Sequence, residues 1–187
     1  MSTRLANIIS LIGIVVLAAY AAWMYPALPD PMPTHWNAAG EVDDYSSKFW
    51  GTLIIGSMPI LTFLLFKVIP VISPRGFRTE SFTGTLNILM AAMVFFSCII
   101  GIAAIRGAHD ATINISTFIF VAVGMLFMVI GNFLGKVRKN FFLGIRTPWT
   151  LASDEVWAKT HRLGGWCFVL AGAIMIIMAF IGPSMSW

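Results

Sequence analysis

Charge is scarce in this chain, and its scarcity excludes the commonest class of protein. Only 11% of the 187 residues are charged and 58% are hydrophobic, whereas about a quarter of an ordinary soluble domain is charged. Cysteine is nearly absent too: two residues exclude a disulfide framework and a four-cysteine zinc site. Cys98 falls in the outer half of one apolar run and Cys167 at the inner end of another. A helical rise of 1.5 Å per residue separates them by about 15 Å, beyond disulfide reach. No Asp or Glu lies in the middle of any long apolar run, which argues against a proton-coupled carrier, because such carriers use intramembrane acids. A Gly-rich phosphate loop, a paired-cysteine motif and a Ser-His-Asp arrangement are all missing. We therefore expect no catalytic residue and no cofactor, hence no enzyme, and no direct nucleic-acid partner. His35, Asp43 and Asp44 are chemically able to hold a metal, but their spacing matches no defined site, and no metal is expected.

What the chain has in abundance is apolar runs. Five windows are long enough to cross a bilayer core as helices: Leu5 to Met24, Gly51 to Ile72, Gly84 to Ile105, Ile113 to Leu134 and Gly165 to Gly182. The fold class expected is all-α, a polytopic membrane helix bundle of five transmembrane helices forming a single membrane domain over residues 1–187. Arg4 and Ala19-Tyr20-Ala21 resemble a signal peptide with its cleavage site, but the apolar run is too long, and the segment reads as a retained span.

Lys and Arg collect on the cytoplasmic side of short loops. With the N-terminus inside and the C-terminus outside, Arg4, Lys67, Arg75, Arg78, Lys136, Arg138, Lys139, Arg146, Lys159 and Arg162 fall at the inner face, and only Lys48 and Arg106 fall outside. Tyr25, Trp50, Trp166 and Trp187 sit near span ends, where amphipathic rings favour the headgroup layer. Small residues, among them the Gly131/Gly135 pair, Gly101, Gly124 and Gly172, read as helix contacts, with a homodimer left open.

Two segments outside the spans are long enough to carry function, and three spans separate them. The outer one, residues 26–50, is "PALPDPMPTHWNAAGEVDDYSSKFW". Its prolines favour extended polyproline geometry, and Glu41, Asp43 and Asp44 make it acidic, suited to a cationic or amphipathic ligand. The alternative is a solvated loop held to the bundle by Trp36 and Tyr45. The inner segment, residues 135–164, passes through a basic run to Thr147-Pro148-Trp149, where proline ends a helix and biases Thr147 to extended geometry. Ser153 is an N-cap candidate followed by Asp154 and Glu155, so a helix starts there and need not stop before the last span. On it Trp157 and His161 lie one turn apart, and Glu155 and Lys159 form a solvated pair. Arg146 can bind a carboxylate, backbone carbonyls or a lipid phosphate.

The outer "YPALPDPMPTHWNAAGEVDDYSSK" and the inner "NFLGKVRKNFFLGIRTPWTLASDEVWAKTHRLGG" together resemble the SdpI family of bacterial membrane proteins. The first is similar to that family's N-terminal domain of unknown function and the second to its C-terminal signature. The resemblance implies a multi-pass protein of the bacterial cytoplasmic membrane that confers immunity to a secreted toxic peptide. It further implies signal transduction, in which a cytosolic winged-helix repressor is held at the membrane. On that reading Asp30, His35, Trp36, Glu41, Asp43, Asp44 and Lys48 are the outer ligand-binding residues. Asn132, Asn140, Arg146, Thr147, Trp149, Trp157, Thr160 and His161 are the inner partner-binding residues, and membrane lipids are the surroundings. The competing reading is a membrane enzyme or carrier acting on a lipid or small molecule at the inner face, with Arg146 and His161 as its working groups.

Overall fold

The computed structural model describes residues 1–37, 40–77 and 79–181. Arg78, Gly182 and Trp187 from the sequence reading lie outside the described residues. Five helices are long and apolar enough to cross a membrane, so the protein is an all-α polytopic membrane bundle. They are α1 (Thr3–Met24), α2 (Lys48–Ile72), α3 (Thr83–His109), α4 (Ile115–Leu134) and α6 (Asp154–Ile181), with a one-turn helix α5 (Pro148–Ala152) before the last. Short 3-10 turns, Tyr25–Ala27 and Thr79–Phe82, follow α1 and precede α3.

α3 is the hub, packing against α1, α2 and α4, while α6 lies chiefly along α4. One core cluster, with Leu17, Met24, Ile55, Val94 and Ile105, occupies the half nearer the 26–50 segment. A second, with Ala6, Phe66, Leu86, Met90, Val137 and Trp157, occupies the half nearer the 135–153 segment. Apolar side chains such as Val15, Leu61, Val71 and Leu170 point outward, as bilayer-facing surface does when lipid tails replace water. Pro59 and Pro70 sit inside α2 without ending it. The hydroxyls of Ser57, Thr62 and Ser73 turn back onto the carbonyls of Ile54, Met58 and Ile69, so these polar side chains are satisfied along the helix itself.

Glycine sets the α4–α6 contact. A Cβ on Gly131 would lie 2.5 Å from the Gly165 carbonyl oxygen, and one on Gly172 would lie 2.5 Å from that of Gly124. The two backbones therefore touch at two levels seven residues apart, the heptad interval at which helix faces meet repeatedly. Gly135 belongs to this face only loosely, with Arg162 Cα at 3.9 Å. The Gly131 face is thus used within the chain.

Two departures from the sequence reading are local. Residues 26–50 are not only extended loop: β1 (Met32–Trp36) and β2 (Val42–Ser46) pair antiparallel, with Met32 opposite Ser46 and Trp36 opposite Val42. Pro148 does not merely end a helix but opens α5 at its first position, where a missing N–H costs nothing.

Candidate functional site

The two non-membrane segments sit at opposite ends of the bundle, and the ends differ in charge. The hairpin end carries Asp30, Glu41, Asp43, Asp44 and Asp110 against Lys48 and Arg106. The other end carries nine described cations, from Arg4 to Arg162, against Glu80, Asp154 and Glu155.

At the acidic end the hairpin is latched to the bundle. Lys48 donates from Nζ to the Leu28 carbonyl (2.9 Å), its backbone N–H reaches Asp30 Oδ1 (3.2 Å), and its ammonium lies over the Tyr25 ring at 4.9 Å. Asp30 and Lys48 therefore fasten the base of the hairpin. Met32 is fully buried beneath it, in contact range of Gly51, and half-buried Trp36 reaches Gly107. Asn37 closes the tip, accepting from the Glu41 N–H (3.0 Å) and donating to the Glu41 carboxylate (3.1 Å). Gly40, at φ 83°, lies so near Ser116 that a Cβ would come within 2.5 Å of its hydroxyl. What remains outward is Glu41, Asp43, Asp44 and Tyr45, with His35 bonded to Asp43 at 2.5 Å. Beside the hairpin, two hydrogen bonds from Thr112 hold the Asp110 carboxyl below its usual range.

At the basic end the signature segment is stapled to the first turns of α6. Asn140 is fully buried and uses all its capacity on the loop: Nδ2 donates to the carbonyls of Arg138 and Leu143, and Oδ1 accepts from the N–H groups of Phe142 and Leu143. The Ile145 N–H donates to His161 Nε2 (2.9 Å), which fixes the imidazole as the neutral tautomer with its proton on Nδ1. That Nδ1 donates to the Trp157 carbonyl at 2.8 Å. The rings of Trp157 and His161 stack at 4.0 Å, and Trp157 Nε1 donates to the Val137 carbonyl at 2.8 Å. Gly144, at φ 102°, passes directly over the imidazole edge, where any Cβ would overlap Nε2.

Thr147 caps α5. Its hydroxyl accepts from the Thr150 N–H while Thr150 Oγ1 accepts from the Thr147 N–H, and Thr150 also donates to the Ile145 carbonyl. Ser153 caps α6 as expected, its Oγ accepting from Val156 N–H at 3.3 Å. Lys139 pairs with Asp154, and Lys159 with Glu155 in the expected solvated pair, each at 2.7 Å.

The inner candidates therefore divide. Asn140, Trp157 and His161 are buried, so their side chains hold the segment and offer no docking surface. Thr147 is committed to its cap, and Thr160 is half-buried. Arg146 is exposed and donates to the Phe141 carbonyl, the second of the three options open from sequence. Trp149 projects outward with 73% of its surface exposed. Asn132 is also exposed, at the mouth of a cleft between α4 and α6. Sequence reasoning missed the buried polar groups of the spans: Asn87 donates to the Met1 carbonyl and to Thr3, and Ser10 is fully buried. Lone polar residues in apolar runs carry no pattern that separates them from lipid-facing ones.

Residues 136–187 match the SdpI/YfhL protein family, and residues 12–62 match a domain of unknown function, DUF1648. The chain is 25% identical over 174 residues to Immunity protein SdpI of Bacillus subtilis (strain 168), which covers 93% of this chain and 81% of that protein. No solved structure matches. The resemblance carried by the two polar segments is thereby borne out. Both modules described above fall within the matched span.

Proposed function

We propose that this multi-pass membrane protein is an immunity protein of the bacterial cytoplasmic membrane that protects its cell against a secreted toxic peptide. The observation that carries the reading is that similarity to an immunity protein runs through both polar modules and the spans between them. With the N-terminus inside, as the basic residues favour, the acidic hairpin faces the exterior. Glu41, Asp43, Asp44 and Tyr45 then present charge and an aromatic ring to a cationic, amphipathic peptide, on a base kept rigid by Lys48 and Met32.

The same orientation puts Trp149 and Arg146 at the cytosolic surface. Both are inner candidates with outward-facing side chains next to the stapled loop, which suits docking of a cytosolic repressor once toxin is bound. The enzyme or carrier alternative needs a cavity opening onto Arg146, Trp149 and His161. His161 is sealed beneath Trp157 and Gly144, and the cleft between α4 and α6 opens elsewhere. Expression in a toxin-sensitive bacterium tests the proposal. Cells carrying the full chain survive the toxin, and reversing Glu41, Asp43 and Asp44 to lysine abolishes survival at unchanged membrane abundance. Survival equal to the empty vector with the full chain, or undiminished by the reversal, contradicts it.

A further inference from the structure

The cleft between α4 and α6 lies where the two ends of the inner segment, Gly135-Lys136 and Arg162, meet the spans, away from the Asn140–His161 staple. It encloses about 240 Å³ at the basic end of the bundle. Its floor is the backbone contact of Gly131 with Gly165, and Val169 forms an apolar wall continuing along the helices. Asn132, Lys136, Arg162 and Trp166 form its rim. A Cβ on Gly135 would lie in ordinary contact with Arg162 Cα, at 3.9 Å, so Arg162 faces the α4 backbone next to Lys136.

Neither cation has a carboxylate partner among the described residues. Asp154 and Glu155 are taken by Lys139 and Lys159. The Lys136 ammonium rests on the Phe133 ring at 4.6 Å, and Arg162 is exposed. The C-terminal end of α4 brings partial negative charge, equivalent to about half an elementary charge. Two of its carbonyls, those of Phe133 and Leu134, already accept from Lys136 N–H and Val137 N–H. Two full positive charges outweigh that remainder. Trp166, 72% exposed at the mouth, has the character of a side chain at headgroup level.

We infer that this cleft binds the phosphodiester headgroup of an anionic phospholipid of the adjoining leaflet. The phosphate lies between Lys136 and Arg162 with Asn132 donating to it, and an acyl chain runs along the glycine floor against Val169. The guanidinium fork suits two phosphate oxygens, and the ammonium supplies a second charge. Exposed Gly135, with no side chain, leaves room for a methylene chain beside the α4 backbone above that floor. The inference does not depend on the immunity reading, since any task of the protein leaves the cleft at a membrane–water boundary.

Native mass spectrometry of the full chain released from nonionic detergent micelles tests it, with dioleoyl phosphatidylglycerol, dioleoyl phosphatidylcholine and inorganic phosphate as probes. One phosphatidylglycerol is expected to bind saturably and in preference to phosphatidylcholine, more weakly as salt rises, and undisplaced by equimolar phosphate. Lys136→Gln and Arg162→Gln each weaken it about fivefold and together about twenty-fivefold. Lys136→Arg keeps it, and so does Lys67→Gln, which removes an exposed cation of the same end outside the cleft. Equal retention of the two lipids, insensitivity to salt or to the double substitution, or an equal loss in Lys67→Gln overturns the site. Displacement by inorganic phosphate overturns the lipid as its source.

Discussion

Gly144→Ala is the sharpest perturbation of the basic-end module, because one methyl group breaks two things together. The residue sits at φ 102°, a backbone region that costs a side-chain-bearing residue about 1–2 kcal/mol. The new Cβ also lands on the His161 imidazole, which cannot yield freely. Both ring nitrogens are bonded, and the ring is stacked on Trp157. Moving it leaves the Ile145 N–H without an acceptor, at a further cost of about 1–3 kcal/mol. The sum, roughly 2–5 kcal/mol, is a large share of the stability of any one folded unit.

Hydrogen exchange of the detergent-solubilised protein reads this directly. Amides of residues 137–150 are expected to lose at least about 30-fold in protection, while those of the hairpin stay unchanged. In a His161→Ala background the clash is gone, so Gly144→Ala then costs only its backbone share of about 1–2 kcal/mol. Unchanged protection in the single variant, or strict additivity in the double, refutes the claim that Gly144 is required by the imidazole above all.

Trp149→Ala and Arg146→Ala should leave membrane abundance and hydrogen exchange near wild type, because Trp149 is exposed and Arg146 holds only one carbonyl. Both should lower toxin-induced reporter expression, and normal induction in both counts against an inner docking surface. Gly172→Leu should part α6 from α4 at a cost of about 1–3 kcal/mol, lowering the thermal midpoint in detergent. Gly56→Leu, with no atom within 4 Å of its Cβ position, should not move that midpoint. Replacing Lys48 with Met should raise proteolysis within residues 28–47 by removing the tie to the Leu28 carbonyl. Cleavage equal to wild type refutes the latch.

The five spans were legible in sequence because a bilayer demands about 20 apolar residues per crossing, and few other constraints write so long a signal. The start of α6 was legible for a local reason: Ser153 with Asp154 and Glu155 completes its cap within one turn. The hairpin was not, since β1 carries a proline and five residues are too few to show alternation against it. Nor was α5, where Pro148 is equally a helix stop and a first helical residue.

The candidate site was legible as a segment but not as a division of labour. Trp157 and His161 could be placed one turn apart on a helix, but helical spacing tells which residues share a face, not what covers it. Gly144 and Val137 cover them, on a loop whose turn is held by hydrogen bonds to Asn140 and which lies distant in sequence from the pair. The cleft was invisible for the same reason: Gly131 and Gly165 make it only by meeting across two helices.

Sidedness is the claim on which the functional account rests, and cysteine accessibility measures it directly. Cys98 is buried and Cys167 exposed, so both are first replaced by alanine, and single cysteines are placed at Asp44 and Arg138. A membrane-impermeant maleimide applied to intact cells should label Asp44→Cys at once and Arg138→Cys only after permeabilisation. Labelling of both from one side, or in the reverse order, contradicts an exterior acidic hairpin opposed to a cytosolic arginine-and-tryptophan face.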